Sequence, residues 1–160
     1  MIVFCDVDGV LNFHQAHPNG YCGTYPECVK QFNRILDEFP DLKLVISSAW
    51  RYLVYSGSMN ITGLENLFLS HGLNCRHKIL DVTRKDLDEN DSRENQIMEY
   101  VDRYKLNKWI VIDDLDLKID NFFRTNGEVG LTKQDADAII GILQTTKMAQ
   151  ILRERFFKCS

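Results

Sequence analysis

Three short apolar runs in this chain stop abruptly on polar side chains. Ile2–Cys5 gives way to Asp6-Val7-Asp8-Gly9, Leu44–Ile46 to Ser47-Ser48, and Trp109–Ile112 to Asp113-Asp114. Runs of this length read as buried strands. The second extends back to Leu42, a weaker strand falls at Lys78–Leu80, and a last one lies around Phe122-Phe123. Between them the apolar spacing becomes helical. Thr24-Tyr25-Pro26-Glu27 reads as a capping box before a helix carrying Val29, Phe32, Leu36 and Phe39, which Pro40 stops. Thr62-Gly63-Leu64-Glu65 reads as a second box, before a helix ending near His71-Gly72. Ser92 caps a helix with Ile97, Val101 and Tyr104 on one side, and Thr132-Lys133-Gln134-Asp135 opens a C-terminal helix. Strand and helix therefore alternate, which predicts an α/β fold with a mainly parallel sheet and helices on both faces.

The first strand end carries the most chemistry. Strand alternation puts Asp6 and Asp8 on one side, and Gly9 permits a sharp turn. Two carboxylates that close repel unless a cation lies between them or one keeps a proton. The pair suits a Mg²⁺ site in which one carboxylate attacks and the other handles protons. The plainer reading, an Asp-x-Asp-Gly turn with no chemistry, weakens once the other strand ends are considered. Strand ends in an open α/β sheet converge on one crevice, so Ser47, Ser48, Asp113 and Asp114 can meet the first pair. Ser92-Arg93-Glu94-Asn95 adds a cation in the first turn of a helix.

Taken in order, Asp-x-Asp-Gly, a strand-end hydroxyl, a cation and a strand-end acidic pair resemble the haloacid dehalogenase (HAD) superfamily of phosphohydrolases. The resemblance runs from Ile2 to about Leu143. Asp8-Gly9-Val10-Leu11-Asn12, Ser47-Ser48-Ala49-Trp50-Arg51, Ile112-Asp113-Asp114 and Gly130-Leu131-Thr132 further look like the capless HAD group associated with multidomain RNA-repair proteins. The resemblance implies a three-layer α/β/α Rossmann-like HAD fold, and the length reads as one domain over residues 1–160. The gaps Asn12–Gly23 and Asp81–Asp91 are too short to fold as a cap, so an open site is expected, suited to bulky or polymeric substrates.

The resemblance also implies roles. Asp6 is the nucleophile that forms an aspartyl-phosphate, and Asp8 protonates the leaving oxygen and then activates water. Mg²⁺ is held by Asp6, Asp8 through its carbonyl oxygen, Asp113 and Asp114, with Asp116 a competitor beyond the strand end. Ser47 binds a phosphoryl oxygen, with Ser48 the alternative. Arg93 supplies the stabilising cation, a place that Lys85 could also fill. Arg51 is a candidate phosphate contact and Trp50 a candidate stacking surface for a base; the plainer reading is a packed tryptophan and a surface ion pair. The expected activity is phosphomonoester hydrolysis. Phosphotransfer through the same residues and a non-catalytic module that binds phosphorylated ends are the alternatives.

Composition narrows the partners. At 160 residues and 44% hydrophobic, the chain can bury a real core. With 19 basic and 23 acidic residues the net charge is −4, which argues against strong salt-driven binding along a nucleic-acid backbone. A phosphorylated small molecule or a nucleic-acid end fits better. The basic surplus at Lys147, Arg153, Arg155 and Lys158 reads as a solvated helix face. No apolar stretch approaches the roughly 20 residues that span a bilayer, and no charged leader precedes the first strand, so a cytoplasmic protein is expected. Five irregularly spaced cysteines do not form a disulfide framework. His14, His17, Cys22 and Cys28 lack the spacing of common zinc modules and read as a polar loop and a helix start.

Overall fold

The computed structural model describes residues 1–13, 23–86 and 90–157, with side chains as far as residue 146. His14, His17 and Cys22, and the side chains of Lys147, Arg153, Arg155 and Lys158, lie outside the described residues. The elements run β1 (Ile2–Cys5), α1 (Pro26–Glu38), β2 (Lys43–Ile46), a 3₁₀ turn (Ala49–Arg51) leading into α2 (Tyr52–Tyr55), α3 (Ile61–Ser70), β3 (Ile79–Val82), α4 (Arg93–Arg103), β4 (Trp109–Asp113), β5 (Phe122–Arg124) and α5 (Lys133–Phe157). All four strand pairings are parallel, in the order β3-β2-β1-β4-β5.

Side-chain alternation sorts the strands between two cores. Val3, Cys5, Leu44, Ile46, Ile110 and Ile112 face one way and pack with α1, α3 and α5, through Phe32, Phe68 and Ile139 among others. Phe4, Val45 and Val111 face the other way, against Ile97, Tyr100 and Val101 of α4. The result is the expected three-layer α/β/α Rossmann-like arrangement. The chain steps outward from β1 to β3, then returns to the far side of β1 as β4. That reversal makes the C-terminal ends of β1 and β4 the switch point, where a ligand crevice opens in such sheets.

Ser92 caps α4, accepting from the Asn95 amide at 3.2 Å, and Thr132 and Asp135 cap α5 reciprocally. Thr24 does not cap α1. The N-cap is Tyr25 without a side-chain bond, and Glu27 turns instead to Gln31 at 2.6 Å. At α3 the cap is Asn60, two residues before Thr62, and it accepts from Gly63 at 2.8 Å. β3 begins one residue later than expected and runs on to Val82, because its register with β2 shifts between Leu44 and Val45. Tyr104 is half exposed at the C-cap of α4. Tyr100 takes the buried place, edge-on to Phe4 at 5.5 Å.

Candidate active site

One row of residues, each just past or at the end of its strand, builds the site. The ladder pairs Cys5 with Ile46 on one side and Ile112 on the other. The next residues, Ser47, Asp6 and Asp113, therefore stand level across β2, β1 and β4. Two backbone bonds fix that level: Asp6 N–H to Ile112 C=O at 3.0 Å, and Ser47 N–H to Cys5 C=O at 3.0 Å. Because Cys5, Ile46 and Ile112 face the larger core, alternation turns all three polar residues towards α4.

Arg93, the first residue of α4, meets them there. Its Nη1 lies 2.6 Å from Asp6 Oδ2 and 2.6 Å from Asp113 Oδ2. Both carboxylates are buried, 3% and 0% exposed. Their second oxygens are also held: Asp6 Oδ1 accepts from Val7 N–H at 2.8 Å, and Asp113 Oδ1 from Leu115 N–H at 3.0 Å. Burial pushes the Asp6 carboxyl up to about 6, against the pull of Arg93 and with the Asp113 charge adding to the rise. Burial likewise raises Asp113, again opposed by Arg93. Burial works against the Arg93 charge, but the two carboxylates outweigh it and raise its pKa. Lys85, the alternative cation, is exposed.

Asp114 completes an acidic group. Oxygens of Asp6, Asp113 and Asp114 all lie within 4.8 Å of one another. Gly9 makes room for this. It sits at φ +80°, and a β-carbon there would come 2.6 Å from Asp114 Oδ2. An all-oxygen, carboxylate-rich set suits a hard cation such as Mg²⁺. Two buried acids sharing one guanidinium leave negative charge for such an ion to balance. The residues present fit the metal. Asp116 does not join the set, since it pairs with Lys118 at 2.6 Å on the surface.

Asp8 departs from the expectation that it shares a side with Asp6. β1 ends at Cys5, and Val10 and Leu11 N–H both bond back to Val7 C=O, so alternation does not continue through the turn. The Asp8 carboxyl lies outside the acidic group and is held by Asn12, whose Nδ2 donates to Asp8 Oδ1 at 2.8 Å and to Gly23 C=O at 3.0 Å. Asn12 Oδ1 in turn accepts from Gly9 N–H at 2.9 Å. Sequence reasoning gave Asn12 no role, although its place four residues after Asp8 was the available signal. The 125–131 segment clamps the same turn. Thr125 Oγ1 donates to Gly9 C=O at 2.8 Å, and Leu131 N–H to Val10 C=O at 2.9 Å. Gly130, at φ +72°, leaves space for Asn12, since a β-carbon would stand 2.6 Å from the Asn12 carbonyl.

The Ser47 hydroxyl is fully buried and has no hydrogen-bond partner among the described residues. Ser48 caps the 3₁₀ turn, with its Oγ accepting from Trp50 N–H at 3.3 Å. Arg51, the candidate phosphate contact, has its guanidinium engaged within the protein. It is 5% exposed, and Nη1 folds back to the carbonyls of Ser47 (3.2 Å) and Ser48 (2.9 Å), while Nη2 pairs with Asp86 at 2.6 Å. The guanidinium holds the turn that carries both serines. Trp50 lies half-buried, stacked on Phe68 with ring centroids 5.5 Å apart.

Among the described residues no helix is long and apolar enough to cross a membrane. No curated protein and no solved structure matches the chain. A protein-family model does match, over residues 2–136, a span from β1 into the first turn of α5. On this match, the chain belongs to the family described as the HAD domain in Swiss Army Knife RNA repair proteins.

Proposed function

We propose that the chain is a Mg²⁺-dependent phosphomonoesterase that works through an aspartyl-phosphate on Asp6, and that its substrates are phosphorylated nucleic-acid ends or nucleotides. One observation carries the reading: a buried carboxylate, Asp6, shares a fixed guanidinium with Asp113 and forms with Asp113 and Asp114 an acidic group that fits a metal. Membership of the HAD family supports phosphatase-type chemistry, and its RNA-repair description supports the substrate class.

In the first step an Asp6 oxygen bonds to phosphorus as the bond to the leaving oxygen breaks. Asp8, steadied by Asn12, gives its proton to that oxygen. In the second step Asp8 takes a proton from water, whose oxygen bonds to phosphorus as the bond to Asp6 breaks. Inorganic phosphate leaves and both carboxyl groups are restored. Arg93 orients Asp6 and balances charge on the transferred group, and the Ser47 hydroxyl donates to one of its oxygens. Asp6, Asp113, Asp114 and the Asp8 carbonyl would hold Mg²⁺. The ion would supply positive charge that offsets repulsion between the nucleophile and the phosphate dianion.

The test is phosphate release from nucleotides, sugar phosphates, and 3′- and 5′-phosphorylated oligonucleotides, with Mg²⁺ and after chelation. Activity on nucleotides or oligonucleotide ends that vanishes in Asp6→Asn, with the far-UV circular dichroism kept, is the expected result. Undiminished turnover in Asp6→Asn overturns Asp6 as nucleophile. The net charge of −4 predicts a weak salt dependence and similar kcat/KM for a mononucleotide and an oligonucleotide.

A further inference from the structure

A groove of about 710 Å³ opens beside Asp8, and its walls are largely apolar. Trp50, Tyr52, Leu53 and Leu67 line it, with Asp8, Ser56 and His71 as polar groups and no lysine or arginine among the described residues. We propose that this groove is a subsite for the leaving group, and that it takes the nucleobase of the nucleotide whose phosphate is removed. The inference rests on the phosphatase reading for its direction. Asp8 passes its proton to the leaving oxygen, so whatever that oxygen belongs to must extend from Asp8, and this groove is what lies there.

The lining identifies the occupant. Among the described residues no lysine or arginine lines it, which disfavours a second phosphate. Two aromatic walls favour a flat ring, and stacking on aromatic side chains is indifferent to which base is offered. The rings are braced before any ligand arrives. Trp50 lies at 16° to the Phe68 ring beneath it, and Tyr52 is flanked by the Arg51 guanidinium at 4.8 Å from its centroid. Prior bracing removes part of the ordering cost of binding. The volume falls in the range of small-ligand clefts and exceeds what a phenyl ring alone would fill. A ribose with its base fits the space, and His71 and Ser56 give the lining a polar portion. A second groove, of about 650 Å³ beside Asp114, is lined by Arg124, Asn126 and Glu128 and has no such aromatic wall.

The experiment compares kcat/KM for adenosine monophosphate (3′ and 5′), ribose 5-phosphate and phosphotyrosine in wild type, Tyr52→Ala and Trp50→Leu. Wild type should favour the nucleotide over ribose 5-phosphate by about tenfold or more. Each variant should bring that ratio close to one; Tyr52 is partly exposed, so its variant keeps the test valid if Trp50→Leu unfolds. No preference in wild type, a ratio unmoved in Tyr52→Ala, or a stronger preference for phosphotyrosine overturns the subsite. If none of these phosphates is hydrolysed, the phosphatase reading fails separately, and the groove is read by binding. Saturable quenching of tryptophan fluorescence by adenosine but not ribose, weakened in Tyr52→Ala, supports it, and equal or no quenching by the two overturns it.

Discussion

Asn12 fixes Asp8 from four residues downstream, donating to its Oδ1 at 2.8 Å while receiving the Gly9 amide at 2.9 Å. One amide side chain thus closes the β1 turn and aims a carboxyl outside the acidic group. A proton donor needs this kind of fixing, because proton transfer depends on reach to a single oxygen.

Asn12→Ala should lower kcat by as much as about 100-fold, since small misplacements of a catalytic group are costly. It also leaves the buried Gly9 amide and Gly23 carbonyl short of a partner, a loss of about 1–3 kcal/mol. Steady-state kinetics with a urea melt separate the two effects. A stability loss with kcat unchanged would restrict Asn12 to the turn.

Arg93→Met should destabilise the metal-free protein by about 3 kcal/mol, because two buried carboxylates lose their shared counter-charge. Mg²⁺ should then raise the melting temperature of the variant more than that of wild type, as binding to the folded state stabilises it. Calorimetry with and without Mg²⁺ checks this. An equal rise in both proteins would count against a metal at these acids.

Chelation should stop turnover, with Mg²⁺ restoring it and Ca²⁺ inhibiting. Ca²⁺ takes more ligands at longer distances and would engage both Asp6 oxygens, spoiling the attack. Asp114→Asn should raise the Mg²⁺ needed by about 10–100-fold, as for an outer partner, and Asp113→Asn by more. Mg²⁺ titrations of activity decide the order, and its reversal would exchange the two roles.

Arg51→Ala should cost about 1–3 kcal/mol, since the Ser47 and Ser48 carbonyls lose their donor while Asp86 keeps only Gln96. Arg51→Lys should recover little, because a lysine lacks the fork that reaches two carbonyls and a carboxylate together. Denaturant melts of both variants test the point. Full stability in Arg51→Ala would show that these contacts add nothing to the fold.

The strand-end residues were legible because each ended an apolar run, and a polar residue there can only face the crevice or lose its solvation. Thus Asp6, Ser47 and Asp113 were found together, as was Arg93 behind an obvious cap at Ser92. What failed depended on the third dimension within a few residues. Asn60 and Thr62 were both plausible caps for α3, and nothing in their identities says which one keeps extended backbone. Arg51 closes the 3₁₀ turn and its side chain folds back onto the Ser47 and Ser48 carbonyls, an outcome that composition does not encode. Trp50–Tyr55 carries too few residues to display a helical period, so the short helix beside the groove went unseen.

The level row across β2, β1 and β4 has a consequence for how errors in folding would be felt. Side chains in a strand repeat every two residues, so a slip of β4 by one position would bury Ile112 at the crevice and turn Asp113 into the apolar layer. No intermediate geometry exists between those registers. A misaligned molecule would therefore be inert rather than sluggish, and turnover in a preparation would count the correctly threaded chains.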